Sequence, residues 1–463
     1  MRKLLPVLAM SFFLYGCPGP SQYVRPELPV PSSWPDSSAA KSVAGAAAAE
    51  TNWREFFTDQ RLQSVIGLAL ENNRDLRVAT LNIEKAQALY RIQRAEQFPT
   101  VAVTATGDGY RVPKNVSGND NPETVANFRV GLSSASWELD LFGRIRSLKS
   151  AALEQYLATQ QTRAAAQISL IGAVANTYLA LAADQENLRL ARVTFETQSA
   201  SYHLIEQTRE FGMASDLDLR QAQSQVEAAR VDIARYSGQV AVDENALNLL
   251  AGTTVPAEML PEDLSKVSDL RDVAPGLQSE VLLRRPDILA AEHQLKAVNA
   301  NIGAARAAFF PRIALTAATG IVSSDLTNLF KPAAGTWEFA PQLALPIFDM
   351  GARQANLQAT KVERDIAVAE YEKSIQSAFR EVNDALTLRT SLAGQQQALQ
   401  ALVEALQETY RLSEARYKGG IDSYLSVLIA QRSVYSAQQQ MVGVRLARLN
   451  NLVTLYKVLG GGA

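Results

Sequence analysis

The sequence predicts a mostly α-helical fold made of two structural repeats, with one β-hairpin in each repeat. Three observations support this fold class: patterns that recur at a constant offset, two very long stretches without proline, and paired segments with alternating apolar residues. The chain has 463 residues, of which 47% are hydrophobic, so it can fill a sizeable core.

The duplication is visible as short patterns that occur twice. An Arg-x3-Phe-Pro pattern at residues 94–99 returns at 306–311. A Gly-x2-Ser-x-Leu pattern at 212–217 returns at 420–425. Both pairs have nearly the same offset, which indicates two copies of one structural plan.

The positions of these patterns predict the domain organisation. We expect a first structural repeat over residues 61–252 and a second over 275–460. Residues 253–274 lie between the repeats, contain two prolines, and are predicted to form a connector.

Each repeat is predicted to contain the same elements in the same order. Apolar residues at helical spacing predict a first helix, and period-two alternation after the Phe-Pro step predicts a hairpin. A nearly glycine-free stretch without proline then predicts a helix of roughly 100 Å, at about 1.5 Å per residue, before a shorter closing helix. The predicted elements are helices 61–96 and 276–308, hairpins 98–142 and 310–348, long helices 144–210 and 352–417, and closing helices 216–250 and 424–458.

The helices and the strands each leave an alternative open. Apolar residues within 352–417 recur at spacings of three and four with a change of phase, which is typical of coiled-coil packing and fits an ordinary scaffold equally well. Four strands are too few to close a barrel, because even a filled barrel needs about eight. Either the strands form a sheet in water, or several subunits pool them; three chains with four strands each would supply 12.

The N-terminus is predicted to be a targeting segment. Two basic residues precede an apolar stretch at 4–15, which is shorter than the roughly 20 residues of a membrane-spanning helix. Cys17 follows it and is the only cysteine of the chain. We predict a lipoprotein signal peptide over 1–16, a diacylglycerol on Cys17, and a lipidated, extended tether over 17–60. The alternative is an ordinary secretory signal with an unmodified cysteine.

Composition and motifs argue against several function classes. The net charge of −2 lacks the basic excess of a nucleic-acid-binding protein. His203 and His293 are the only histidines, and with one cysteine they do not make a zinc or haem ligand set, so no metal is predicted. No Ser-His-Asp order or paired-carboxylate motif is present, so we predict no catalytic residue and no enzyme activity, with a hydrolase as the least supported alternative. No later stretch reaches 18 consecutive apolar residues, which argues against a membrane-spanning helix.

Five segments of the chain carry the pattern of a known family. They read ENNRDLR, WELDLFGRIRS, LRRPDILAAEHQLKAVNANIGAARAAFFPRIALTA, LPIFDMGARQANL and YKGGIDSYLSVLIAQRSVY. Together with LYGC before the tether, they make the chain similar to the TolC/OprM family of outer-membrane efflux ducts, in its lipoprotein branch. The resemblance runs from about residue 14 to 460.

The resemblance implies an architecture, a location and partners. It implies a homotrimer in the bacterial outer membrane that is lipid-anchored and extends into the periplasm, with a 12-stranded β-barrel and long helices that form an α-barrel. It implies the passive exit duct of a tripartite multidrug efflux system, working with a periplasmic adaptor (membrane fusion) protein and an inner-membrane pump of the resistance-nodulation-division type. The only cofactor implied is the covalent lipid on Cys17. The alternatives are a structural or scaffolding periplasmic lipoprotein, or the duct of a type I secretion or metal efflux system.

The resemblance also implies a periplasmic aperture that charged residues hold closed, at the turns after the long helices. Asp218 matches the family's aperture aspartate, and Asp216 lies on the same segment. Asp422 occupies the second turn, with Arg220 and Arg432 as candidate partners. Further into the second closing helix, this chain has uncharged residues at two positions where the family often has aspartates.

Elementary electrostatics makes the aperture a testable hypothesis. Three copies of Asp218 around one axis would repel each other unless arginine or a cation bridged them. We therefore expect Asp–Arg links between neighbouring helices to hold the resting duct shut. The alternative is that these are solvated charges at a helix start, where aspartate is favoured by the exposed N–H groups.

Two tryptophans are candidates for the membrane boundary. Trp137 and Trp337 fall in the second strand of each predicted hairpin. An aromatic belt at the lipid interface and simple packing between strands both explain them.

Overall fold

The computed structural model describes residues 23–32, 34, 51–115, 121–268, 270–271 and 279–461. Its α-helices are α1 (Trp53–Phe56), α2 (Gln60–Asn72), α3 (Arg74–Ala95), α4 (Arg144–Glu210), α5 (Asp216–Ala251), α6 (Pro286–Ala307), α7 (Ala352–Lys418) and α8 (Tyr424–Val458). Its strands are β1 (Ala102–Val112), β2 (Glu123–Glu138), β3 (Arg312–Ser323) and β4 (Gly335–Ala344). Short 3-10 helices lie at Ala257–Met259, Leu264–Lys266, Ser279–Arg284, Leu326–Asn328 and Pro332–Ala334.

The predicted fold class is confirmed: the chain is mostly helical, with four strands in two hairpins. The helices α4 and α7 have 67 residues each and cover the predicted long helices over their whole length. Low proline and glycine content permits this length, because neither residue type interrupts the ladder of backbone hydrogen bonds. The division into signal, tether, repeats and connector stays a prediction. Cys17 and the signal peptide lie outside the described residues.

One predicted helix is divided. The prediction of a single helix over 61–96 is wrong, because α2 ends and α3 begins on either side of Asn73. Asn73 has an extended backbone (ψ 130°), and its Oδ1 accepts a hydrogen bond from the backbone N–H of Leu76 at 2.9 Å. Its Nδ2 donates to the carbonyl oxygen of Leu250 at 2.9 Å. The Asn73 side chain thus starts one helix and binds the end of α5, a partner that is remote in sequence.

The predicted helix over 276–308 begins later than expected. The α-helix starts at Pro286, and Ser279–Arg284 forms a 3-10 turn instead. Proline favours the first position of a helix and pushes the residue before it out of the helical region, so the chain cannot continue one helix through Arg285.

Arg285 ties three elements together at this junction. Its Nη1 donates to the carbonyl oxygen of Val458 at 2.8 Å, near the end of α8. Its Nε and Nη2 donate to Asp287 at 3.0 and 2.6 Å, and Nη2 also donates to Glu381 of α7 at 3.0 Å. Burial raises the pKa of Asp287, but hydrogen bonds from Arg285 and its charge outweigh burial and hold the pKa below its ordinary value.

The described residues divide into two compact units. The first contains all four strands and comprises the described part of Met1–Glu27 with Asn82–Thr159 and Ala290–Tyr371. The second comprises the described parts of Leu28–Leu81, Gln160–Leu289 and Glu372–Ala463, and it contains both helical turns.

The sheet is antiparallel with strand order β1-β2-β3-β4. The pairing of β2 with β3 shifts register between Ser134 and Trp137. Ser136 lies in this bulge with a φ of 55°, and its backbone N–H donates to the Thr316 hydroxyl at 3.1 Å. The sequence pattern did not predict the bulge, which a non-glycine residue forms by adopting the left-handed conformation.

Candidate functional site

The pairing registers place most of the large apolar side chains of the four strands on one face of the sheet. Directly paired residues in antiparallel strands point to the same side, so the pairs define the two faces. The apolar face carries Val103, Ala105, Phe128, Val130, Leu132, Ile313, Leu315, Trp337, Phe339 and Leu343. The opposite face carries Thr104, Thr106, Asp108, Asn127, Arg129, Thr316, Glu338 and Gln342, including an ion pair of Arg129 with Glu338 at 3.4 Å.

Much of the apolar face is exposed in the single chain. Val103 is 74% exposed, Trp337 78% and Phe339 60%. A soluble sheet buries such a face against another layer, whereas a sheet in lipid leaves it outward. The two edge strands β1 and β4 each pair with one neighbour among the described residues. In lipid, an open edge leaves backbone groups without partners, so these edges require further strands.

Both candidate tryptophans lie on the apolar face. Trp137 pairs with Leu315 just after the bulge, and Trp337 pairs with Thr319. Their position agrees with the aromatic-belt hypothesis, which stays a prediction because both residues also touch neighbouring strands.

The first helical turn, between α4 and α5, is closed by backbone and cap hydrogen bonds. Gly212 has a φ of 73°, and the N–H of Met213 donates to the carbonyl of Thr208 at 2.9 Å, which satisfies the end of α4. The Ser215 hydroxyl accepts from the backbone N–H of Asp218 at 3.1 Å, and the Asp218 carboxylate accepts from the Ser215 N–H at 3.0 Å. This reciprocal pair is a capping box, so Asp218 is bound to the backbone of its own turn.

The second helical turn, between α7 and α8, has the same backbone geometry and different side-chain contacts. Gly420 has a φ of 71°, and the N–H of Ile421 donates to the carbonyl of Arg416 at 2.9 Å. Ser423 at the start of α8 makes no side-chain cap bond. Instead, Asp422 accepts two hydrogen bonds from Arg416, at 2.6 and 3.1 Å. These hydrogen bonds lower the pKa of Asp422 below its ordinary value.

The structure places the five predicted aperture residues at the two turns without joining them to one another. Asp216 pairs with Arg209 at 2.6 Å, and Arg220 donates to Gln223 at 2.7 Å. Within the described part of the chain, neither Arg220 nor Arg432 forms an ion pair, and both are exposed. Two cations therefore lie at the turns without a carboxylate partner among the residues of their own subunit that the structure describes.

Sequence reasoning missed the arginines that the turns do use. Arg209 and Arg416 lie in the last turns of α4 and α7, where basic side chains are favoured by the exposed carbonyl groups. Each lies within seven residues of an aspartate across a glycine turn. That spacing is a usable signal, because the turn folds the two segments back on each other.

An apolar cluster lies beneath the charged groups of both turns. Buried side chains from α4, α5 and α8 form it: Ile205, Leu219, Ala222, Tyr424, Val427 and Leu428. The outer surfaces of the turns expose another apolar set: Phe211, Met213, Leu217, Ile421, Leu425 and Ile429. Exposed apolar residues at this density are typical of a surface that binds another protein.

The remaining predictions about chemistry are only partly tested. Among the described residues, no group of three or more His, Cys, Asp or Glu side chains is arranged to hold a metal ion. His203 is exposed and lies 3.4 Å from Glu206, as expected for a surface residue.

The helix α4 contains an 18-residue window with a mean hydropathy of 1.4, apolar enough to cross a membrane by length and composition, but half of it is buried inside the protein. A buried core helix passes the same test, so this window is weak support for a membrane helix.

A sheet with an exposed apolar face, whose edge strands each pair on one side only among the described residues, in a chain that also has two 67-residue helices, is typical of the subunits of a membrane channel. The model of the outer membrane efflux protein family matches residues 65–253 and again residues 277–461, so the chain belongs to this family. The double match agrees with the internal repeat. The protein is therefore an outer-membrane component of an efflux pump, as the resemblance implied.

Individual relatives agree over nearly the whole length. The antibiotic efflux pump outer membrane protein ArpC of Pseudomonas putida is 48% identical, and the alignment covers 100% of this chain and 96% of ArpC. The toluene efflux pump outer membrane protein TtgC of Pseudomonas putida has the same identity and coverage. The crystal structure of the open state of the Neisseria gonorrhoeae MtrE outer membrane channel is 39% identical, with a TM-score of 0.88 and coverage of 95% of this chain and 97% of MtrE.

Proposed function

We propose that three copies of this chain form one channel and that it is the passive exit duct of a tripartite efflux system. The observation that carries this proposal is the four-stranded sheet with one apolar face and two open edges. Three such sheets, joined edge to edge, supply 12 strands, which is enough to enclose a lumen that holds water. The polar face of the sheet, with Arg129 and Glu338, then lines the lumen.

The cargo is a range of small organic compounds. Two relatives that are both 48% identical to this chain are named as parts of an antibiotic efflux pump and a toluene efflux pump. Ducts of this kind therefore serve chemically different molecules. A wide aqueous lumen has few groups that discriminate between solutes, and selectivity then lies in the pump. The duct of a type I secretion or metal efflux system is the competing function.

A periplasmic adaptor docks on the turns. The exposed apolar side chains of the two turns, among them Phe211, Met213 and Ile421, offer a contact surface, and the charged groups beside them give it orientation. An inner-membrane pump of the resistance-nodulation-division type completes the system. Cys17 carries the lipid that anchors the chain. No catalysis by this chain is part of the proposal.

The aperture closes through contacts between subunits. Asp218 and Asp422 are engaged within their own turns, but Arg220 and Arg432 have no carboxylate partner in the described part of the same chain. In a trimer these cations face neighbouring turns, where an aspartate reduces the repulsion among like charges. Adaptor binding opens the aperture by competing for these exposed groups.

Gene deletion tests the transport function. A strain without this gene should accumulate a fluorescent efflux substrate several-fold, and a plasmid copy should reverse the accumulation. Unchanged accumulation in the deletion strain would contradict the proposed exit of small organic compounds through this duct. The purified protein should also migrate as a trimer in mild detergent, and a stable monomer in the membrane would contradict the pooled barrel.

A further inference from the structure

A buried carboxylate on α6 holds the N-terminal segment of the chain. The side chain of Glu292 is 3% exposed. It accepts a hydrogen bond from the Tyr23 hydroxyl at 3.2 Å, and two from Arg25, at 3.1 Å from Nε and 2.7 Å from Nη2. Lys296, one helical turn further along α6, lies 3.0 Å from the same carboxylate.

The contact has the geometry of a specific recognition site. Arg25 uses two nitrogens on the two oxygens of Glu292, the bidentate arrangement that makes arginine–carboxylate pairs strong and directional. The ammonium of Lys296 also lies 5.2 Å from the centre of the Tyr23 ring, within the range of a cation–π contact. Tyr23 therefore contacts both Glu292 and Lys296 of the helix, and Arg25 of the same short segment contacts Glu292.

Glu292 needs the segment in order to be buried. A carboxylate removed from water is costly unless donors surround it, and three of its four hydrogen bonds come from Tyr23 and Arg25. Burial raises the pKa of Glu292, but the hydrogen bonds from Arg25 and Lys296 outweigh it and hold the pKa below its ordinary value. The donors thus keep the group ionised in its buried position.

The segment is suited to docking without a large entropic cost. Residues 26–31 contain three prolines, which restrict the free chain before it binds. Trp34 follows, is 2% exposed, and stacks on Phe379 of α7 with ring centres 4.9 Å apart. The segment therefore has two contacts, one ionic and one aromatic.

We propose that Glu292 is the docking site for the N-terminal segment, that it recognises Tyr23 and Arg25 together, and that docking completes the folded body. Cys17 stands six residues before Tyr23, and six residues span at most about 21 Å. Docking therefore sets an upper limit on the distance between Glu292 and the lipid attachment point. This last consequence rests on the proposed lipidation, whereas docking itself does not.

Cleavage by chymotrypsin after Tyr23 measures docking in the full-length protein. Tyr23 is half-buried, so cleavage in the native state requires the segment to leave Glu292. Arg25→Met keeps most of the side-chain length and removes the charge. We expect it to raise the initial cleavage rate by about tenfold or more, because the buried carboxylate of Glu292 loses the two hydrogen bonds from Arg25. Arg411→Met, which removes an exposed pair with Glu408, is the control and should leave the rate unchanged.

A double-mutant cycle separates recognition from general destabilisation. In a Glu292→Gln background the carboxylate is gone, and we expect Arg25→Met to change the rate by less than about twofold. Equal acceleration by Arg25→Met in both backgrounds would overturn the proposal, as would wild-type cleavage as fast as that of a free peptide. Tyr23→Phe keeps the cleavage site and loses only one donor, so it tests the same coupling if Arg25→Met does not fold. Lipid on Cys17 is measured separately by the mass of the mature chain, so the docking result does not depend on it.

Discussion

The charges around Arg285 and the charges at the two helical turns differ most in their exposure. The Arg285 side chain is 9% exposed and serves acceptors on α6, α7 and α8, whereas the Arg416 side chain is 54% exposed and serves one aspartate of its own turn. A buried charge that loses its partners is costly, while an exposed pair is replaced by water at little cost. The difference indicates that Arg285 holds the body together and that the turn charges are free to rearrange.

The two turns also differ from each other. Both end their long helix with a glycine at positive φ, but the first relies on the capping box of Ser215 and Asp218, and the second on the pair of Arg416 and Asp422. Duplication has kept the backbone geometry and changed the side chains that stabilise it. Equivalent positions in the two turns should therefore respond differently to substitution.

Replacement of Arg285 should have the largest effect on stability. Arg285→Met removes the hydrogen bonds that Asp287 and Glu381 accept from Arg285 and leaves the Val458 carbonyl without its partner; Asp287 keeps the bond from the Ile288 N–H. Both carboxylates keep some contact with water, so we expect a loss of about 2 kcal/mol, below the range for a fully buried pair. Thermal unfolding in detergent, followed by helical circular dichroism, measures it. Arg411→Met should leave the melting temperature unchanged, and equal losses in the two variants would remove the distinction between buried and exposed charges.

A carboxyl group between α4 and α5 should make stability depend on pH. Burial and the neighbouring Asp243 raise the pKa of Asp184 to about 6. The folded state therefore binds a proton more tightly than the unfolded state, whose aspartate has a pKa of about 3.9, and stability falls as pH rises from about 4 to about 6. The melting temperature should drop over that interval, and Asp184→Asn should flatten the curve. Asp422→Asn should leave the drop in place, because the pKa of Asp422 lies below its ordinary value and the group does not titrate over this interval. A wild-type melting temperature that rises over this interval would contradict the assignment.

The capping box should matter in the first turn only. Ser215→Ala removes the hydroxyl that accepts from the Asp218 N–H, and helix caps of this kind contribute about 1 kcal/mol. We expect faster amide hydrogen exchange in the first turn of α5 and little change elsewhere. Ser423→Ala is the matched control, because Ser423 makes no cap bond. Equal changes in amide exchange for Ser215→Ala and Ser423→Ala would show that the two turns are stabilised in the same way.

The pair in the second turn should have the smallest effect on stability. Arg416→Met leaves Asp422 exposed to water, which replaces the lost hydrogen bonds. We expect an unchanged melting temperature and faster amide exchange confined to residues near Ile421. A clear fall in the melting temperature would show that this exposed pair holds more than its own turn.

Patterns that are local in sequence predicted most of the fold. Period-two alternation located the strands, and the absence of proline located α4 and α7. The break at Asn73 was missed because the apolar spacing continues across it, and the side chain finds its second partner at Leu250 only in the folded chain. No local pattern marks Glu292 as a docking site either, since its partners Tyr23 and Arg25 lie more than 260 residues away.

The sequence predicted the positions of the charged residues at the turns more accurately than it predicted which of them pair. The aspartates do lie at the turns, but Asp422 bonds with Arg416 rather than with Arg220 or Arg432. Pairing depends on how the glycine turn directs each side chain, which spacing alone does not specify. The roles of these residues in closing an aperture stay a prediction.

Single-channel conductance in a planar bilayer tests the central claim, that exposed turn charges close the duct while buried charges hold its body. Arg432→Met removes an exposed cation that has no ion-pair partner in the described part of its own chain, and Arg364→Met removes an exposed cation paired with Asp365, away from the turns. We expect a several-fold higher conductance and an unchanged melting temperature for Arg432→Met, and wild-type conductance for Arg364→Met. Wild-type conductance for Arg432→Met, alone and combined with Asp218→Asn, would contradict the central claim.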